Sequence, residues 1–252
     1  MSKKAKNRRE AAQKAVTRAR GGQRGNRVIM GIGGVVIVAL VAAIAVSVTS
    51  AMRGSSGGGG GALVTPAAAT GDGGIRVGPE GAATTVAVYL DYMCPYCGKF
   101  ERANSGDLTA LVEDGTTALE LHPLSFLDAQ SQGNRYSTRA ANAVVTVADK
   151  DSERVLAFNA ALFANQPDEG SAGLDDAAIA ELAAGAGVSQ AVIDAFGDRI
   201  YVPWIEKTTE AAFDGGITGT PTVLINGVKT GVDLYTAGPL REAVIAAAGA
   251  AR

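Results

Sequence analysis

Two sulfur atoms carry the most specific chemistry in this chain. Its only cysteines stand in one motif, Cys94-Pro95-Tyr96-Cys97. Common structural zinc sites and iron–sulfur clusters take four thiolate or imidazole ligands. Two thiols and the single histidine, His122, fall short of that, so no metal or cofactor is expected. A purely structural disulfide is also a poor reading, because a bridge across two residues closes a very short loop and constrains little of the unfolded chain. A reversible dithiol–disulfide pair fits best. With Pro95 at the first helical position, the N–H groups of Tyr96 and Cys97 point back toward the Cys94 sulfur, and the helix dipole favours a thiolate there. Cys94 is therefore expected to be the exposed nucleophile of low pKa. Cys97, one turn inside, is expected to be the less accessible resolving thiol. Lowering the Cys94 pKa by about 2 units would favour the reduced form by about 2.7 kcal/mol, or roughly 60 mV of oxidising power.

The flanking pattern supplies the elements that would hold such a pair. Thr84 to Asp91 (TTVAVYLD) is short, apolar and β-branched, and reads as a buried strand ending just before the motif. A helix opens at Pro95, with a break expected at Ser105-Gly106. Thr117 to Leu121 alternates like a second strand. From about 132 to 214 the pattern is helical, with apolar faces at Tyr136, Ala140, Val144 and Val147, at Val155, Phe158 and Leu162, and at Tyr201, Trp204, Ile205, Thr208 and Ala212. Thr222 to Ile225, Asn226-Gly227 and Val228 to Thr230 then read as strand, type I′ turn and strand. A last helix follows Pro239, facing inward with Leu240, Val244 and Ala248.

Two separated runs, YLDYMCPYCGKFE at 89–101 and TEAAFDGGITGTPTVLING at 209–227, resemble the DsbA-like thioredoxin-fold proteins of bacterial cell envelopes. The resemblance covers roughly residues 75–250 and implies an α/β thioredoxin fold with the helical block inserted between its halves. It further implies a thiol-disulfide oxidoreductase whose catalytic Cys94 and Cys97 are supported by Pro95, Tyr96, Thr220 and Pro221. In that family the proline equivalent to Pro221 is cis and lies against the cysteines, and the backbone beside it pairs with an extended substrate segment. One departure stands out. Many relatives carry a buried acidic residue six positions before the first cysteine, where this chain has Val88. The nearest carboxylates, Asp91 and Glu101, are expected to cap the strand end and to sit on a solvated face. His122 is expected as a packed or surface histidine, and Trp204 as core.

The N-terminus bears on where this chemistry takes place. Residues 1–27 hold ten basic side chains against Glu10 alone, and the uncharged run Val28 to Val48 follows at once. Twenty-one apolar residues span roughly 30 Å as a helix, the thickness of a hydrocarbon core. The basic flank then sets the N-terminus in the cytoplasm. This position favours a membrane flank over a nucleic-acid-binding arm. The length favours an uncleaved anchor over a cleaved signal peptide, although Ala45-Val46-Ser47 and Thr49-Ser50-Ala51 offer small residues for cleavage. Residues 49–74, rich in Gly, Ser and Ala, read as a flexible linker, and the folded domain is expected over 75–252. The expectation is a single-pass protein of the bacterial cell membrane whose extracytoplasmic domain oxidises thiols of reduced substrate proteins. A separate membrane oxidase would have to regenerate it, since no quinone or flavin site is visible. Reduction or isomerisation by the same fold, or a tethered non-catalytic chaperone, are the alternatives.

Overall fold

The computed structural model describes residues 63–250. The basic segment 1–27, the apolar span 28–48 and the linker up to residue 62 lie outside the described residues. Among the described residues no helix is long and apolar enough to cross a membrane.

Five strands form one sheet in the order β1-β3-β2-β4-β5: β1 (Ile75–Val77), β2 (Thr84–Leu90), β3 (Thr117–Pro123), β4 (Thr222–Ile225) and β5 (Val228–Lys229). β2 and β3 run parallel, which requires a crossover, and helix α1 (Pro95–Glu113) supplies it. The pairings of β3 with β1, of β2 with β4 and of β4 with β5 are antiparallel. Between β3 and β4 come five helices: α2 (Tyr136–Lys150), α3 (Val155–Ala164), α4 (Asp176–Gly185), α5 (Gln190–Asp194) and α6 (Val202–Asp214). α7 (Pro239–Ala250) closes the order and packs on α1 and β2.

Strand β2 is central and covered on both faces, which explains its continuous apolar run. Val86, Val88 and Leu90 enter the main core with Leu119 and Leu121 of β3, while Ala87 and Tyr89 face the other way, toward Leu124 and Ala212. Each fully buried Val or Leu contributes roughly 1.5–3 kcal/mol. The apolar faces expected for the helical block are inside except for Thr208, which is half-buried, and all three expected positions of α7 are buried.

Three local details differ from the sequence reading. α1 runs unbroken through Ser105-Gly106. A mid-helix glycine costs about 1 kcal/mol, and the burial of Phe100, Leu108 and Leu111 on the same helix outweighs it. β5 stops at Lys229, one residue early; Asn226 and Gly227 have φ of 50° and 78°, as a type I′ turn demands. Finally, the segment 63–74 is held against the domain. Pro66 is buried, the Ala67 N–H donates to Asp149 Oδ1 (2.7 Å), Ala69 bridges to Ile75, and the Thr70 N–H donates to the Gly74 carbonyl (2.8 Å). Its Ala/Gly composition resembles a linker because most of its ties are made by the backbone, with only the small side chains of Pro66, Ala68 and Ala69 turned to the core.

Candidate active site

β2 ends at Leu90 and delivers Asp91, Tyr92 and Met93 into the turn that precedes α1. Cys94 is the N-cap of that helix and Pro95 follows it. The Cys94 carbonyl accepts the N–H groups of Cys97 (2.9 Å) and Gly98 (3.2 Å). A second loop closes over the sulfur from the sheet side. The Thr220–Pro221 peptide is cis, and the Cys94 thiol donates to the Thr220 carbonyl at 3.3 Å. The contact with the sulfur is thus made by the carbonyl of Thr220, the residue before Pro221. Both cysteines are free thiols. Cys94 is narrower in access than expected, only 6% exposed, because the Thr220 loop covers it; Cys97 is sealed inside.

The two thiols sit in opposite electrostatic settings. Cys94 is drawn down to about 6: the Cys97 thiol donates to its thiolate, with the Thr220 side chain and the N–H groups of Cys97 and Tyr96 adding to this against a desolvation cost. The Thr220 hydroxyl is buried and has no partner among the described residues in the thiol form, so it is free to donate once Cys94 ionises. Burial pushes the Cys97 thiol well up, and the neighbouring Cys94 adds to that. The one main-chain donor aimed at it is the Asp91 N–H, 3.5 Å from Sγ.

Asp91 does close the strand end, yet it is fully buried. Its carboxylate accepts the N–H groups of Met93 and Leu127 (both 2.8 Å) and the Ser137 hydroxyl (2.7 Å), tying together the cysteine turn, the loop after β3 and the first turn of α2. Desolvation raises its pKa to about 6 despite those donors. Glu101 corrects the expectation of a solvated face. It is 8% exposed and borders a cavity of about 20 Å³ together with Val88, Leu90 and Leu108. It accepts from Asn159 Nδ2 (2.9 Å), whose Oδ1 accepts the Tyr92 hydroxyl (2.9 Å), and burial raises it to about 7. A helical signal was present in the sequence: Cys97, Glu101, Asn104, Leu108 and Leu111 share one buried stripe.

Gln166 had no such signal. From just beyond α3 its Nε2 donates to the carbonyls of Tyr92 (3.0 Å) and Cys94 (2.8 Å). Tyr96 is 54% exposed and meets Tyr235 at a ring distance of 5.9 Å, forming an apolar rim beside the sulfur. His122 stacks on Tyr89 (4.0 Å between ring centres), and desolvation lowers its pKa to about 4; its contacts are with Tyr89 and Asp72, not with the thiols. Trp204 is core.

Comparison with known proteins agrees with this geometry. The family model described as Thioredoxin matches residues 70–238. The reduced form of the disulfide bond oxidoreductase DsbG of Mycobacterium tuberculosis superposes with a TM-score of 0.59 at 30% identity, covering 73% of this chain and 96% of that one. DsbA of the same organism gives 0.57 at 29% identity, over 71% of this chain and all of that one, 100%. The serine/threonine-protein kinase PknE of M. tuberculosis is 38% identical over 124 residues, which is 48% of this chain and 22% of the kinase, so the chain spans about a fifth of that relative's length. A buried dithiol at a helix N-terminus beside a cis-proline loop, on a sheet of this topology, agrees with the sequence match over most of the domain: the chain belongs to the thioredoxin family, among its DsbA-like thiol-disulfide oxidoreductases.

Proposed function

We propose that the chain is a membrane-anchored extracytoplasmic enzyme that oxidises thiols of reduced substrate proteins through a Cys94–Cys97 disulfide. The observation that carries this reading is the asymmetry of the two thiols, one held near pKa 6 at the rim and the other pushed up inside. A substrate thiolate attacks Sγ of Cys94 in the disulfide; the S–S bond breaks, Cys97 leaves and takes a proton, and a mixed disulfide forms. A second substrate thiolate attacks the substrate sulfur of that bond, and Cys94 departs as a stabilised thiolate. Two electrons have then passed from substrate to enzyme, and the substrate holds the new disulfide. Leaving is fast where the leaving thiol has a low pKa, which favours oxidation over reduction. Thr220 and Pro221 border the approach to Cys94, and Pro95 and Tyr96 shape the helix start and the apolar rim. The anchor at 28–48 and the outward placement of the domain rest on the charge and hydropathy of the N-terminus. A membrane oxidase that restores the disulfide is the partner this chemistry requires.

Equilibration with glutathione buffers tests the direction. The expected potential is more oxidising than about −180 mV, and a value near that of thioredoxin, about −270 mV, would overturn the oxidant reading in favour of a reductase. Cys94→Ser is expected to abolish oxidation of a reduced, unfolded substrate.

A further inference from the structure

The sheet carries a second cluster of ligand-type side chains, remote in chemistry from the thiols. Glu120 and His122 lie two residues apart on β3 and so project to the same face. The loop from Thr70 to Gly74 brings Asp72 against them, and one donor atom from each of the three side chains lies within 4.8 Å of the other two. The imidazole is the informative member. His122 is 2% exposed, and its Nε2 has no hydrogen-bond partner among the described residues. A buried ring nitrogen left without a partner is costly. The atom facing it is Asp72 Oδ2 at 4.0 Å, too far for a hydrogen bond.

The loop is built to hold Asp72 in that place. Asp72 Oδ1 accepts the Thr70 hydroxyl (2.5 Å), which itself accepts the Gly74 N–H (2.9 Å). This leaves Oδ2 turned toward the imidazole. Gly74 is pressed against the ring so closely that a Cβ there would stand 2.6 Å from Nε2, so only glycine permits the approach. Tyr89 stacks on the ring and fixes its plane. Arg76 takes Oε1 of Glu120 at 2.8 Å, so with both carboxylates ionised and the imidazole neutral the cluster keeps one net negative charge.

We propose that Asp72, Glu120 and His122 bind a single divalent first-row cation, with zinc the best match to one imidazole nitrogen and two carboxylate oxygens. Zinc bonds of about 2.0–2.2 Å set neighbouring donors roughly 3.3 Å apart in a tetrahedral site. The Asp72 carboxylate, 57% exposed, has room to close that gap by a small rotation. A water fills the fourth position. Unlike the cysteine-based sites that the composition excludes, this one needs no sulfur. The ion ties the Thr70–Gly74 loop, where the chain enters the domain, to the strand beside the one that carries the cysteine motif.

The test uses the oxidised full chain in detergent, so that the Cys94–Cys97 disulfide cannot ligate metal. Zn²⁺ is titrated by calorimetry, and Co²⁺ and Cu²⁺ serve as spectroscopic probes. One equivalent is expected to bind with a dissociation constant in the micromolar range or below. At a hundredfold excess over that constant the unfolding midpoint should rise by roughly 5 °C. Because His122 is the only histidine of the chain, imidazole coupling in the Cu²⁺ spectrum reports on this residue directly. Asp72→Asn, on an exposed loop, and His122→Gln should each weaken binding at least about tenfold. Should His122→Gln fail to fold, Asp72→Asn decides. No saturable binding, binding that survives Asp72→Asn, or a spectrum without nitrogen coupling would overturn the site.

Discussion

Cys94 and Cys97 differ by three positions and by opposite shifts of their thiols, and this difference predicts how redox state and pH act together on stability. Only the reduced protein has an ionisable Cys94. Its folded pKa, about 6, lies below the ordinary thiol value, so the stabilisation it contributes is full above the ordinary value and is lost as pH falls through about 6. Asp91 and Glu101 behave in the opposite sense. Their folded values are raised to about 6 and about 7, so they favour the fold at low pH, and that contribution is lost as pH rises through those values. Both carboxyls are present in either redox form and largely cancel in a comparison. The melting temperature of the reduced protein relative to that of the oxidised protein should therefore rise from about pH 5 to about pH 8, above which the raised Cys97 thiol, also present only in the reduced form, opposes further gain. The expected gain is about 2–4 kcal/mol, the lower figure allowing for solvent screening at the rim, or roughly 5–10 °C. A pH-independent difference would mean that Cys94 is not the stabilised thiolate. The cysteines were legible in the sequence because their chemistry is local to four residues. Glu101 was misjudged because a charge is ordinarily solvated, and only the apolar stripe around it shows that its face turns inward.

At the scale of elements, the helix that carries the thiols is locked by a residue from another part of the chain. The side-chain amide of Gln166 reaches the carbonyls of Tyr92 and Cys94 through a passage that exists because residue 98 has no Cβ. An added methyl there would collide with Gln166 Oε1. Gly98→Ala should displace the amide and cost about 1–3 kcal/mol, comparable to losing hydrogen bonds to buried carbonyls. Gln166→Ala alone should cost somewhat less. Because both changes break the same contact, the double variant Gly98→Ala with Gln166→Ala should cost clearly less than the sum in urea unfolding. Additive losses would show that Gly98 is needed for some other reason. No reading of the sequence reaches this lock, since its partners are 72 and 74 residues apart. Strand β2, helices α1 and α7 and the Asn226-Gly227 hairpin were legible, because periodicity and turn chemistry are local signals. The three-residue strand Ile75–Val77 was not, being too short to show a period.

The molecule as a whole has a thioredoxin sheet divided by five helices, and that division was visible as a long helical stretch between two strand-bearing motifs. Less visible was where the domain begins. Residues 63–74 read as the end of a linker, yet they contribute Pro66 to the interior, the Ala67 N–H to Asp149, the Ala68 carbonyl to the Arg76 N–H (2.9 Å) and the bridge from Ala69 to Ile75. At about 0.5–1.5 kcal/mol net for each hydrogen bond, the segment stabilises the domain by roughly 2–4 kcal/mol. A fragment starting at Leu63 should accordingly melt like the folded domain of the full chain, whereas one starting at Ile75 should unfold at clearly lower urea. The thiols provide the internal control. The groups that lower the Cys94 pKa belong to Cys97, Thr220 and Tyr96, none of which lies within residues 63–74. The pH midpoint of Cys94 alkylation should therefore stay near 6 in both fragments at low denaturant. If the shorter fragment matched the longer one in stability, residues 63–74 would merely rest on the surface. If instead its alkylation midpoint moved toward the ordinary thiol value, the entry loop would belong to the active-site scaffold, which its contacts do not suggest.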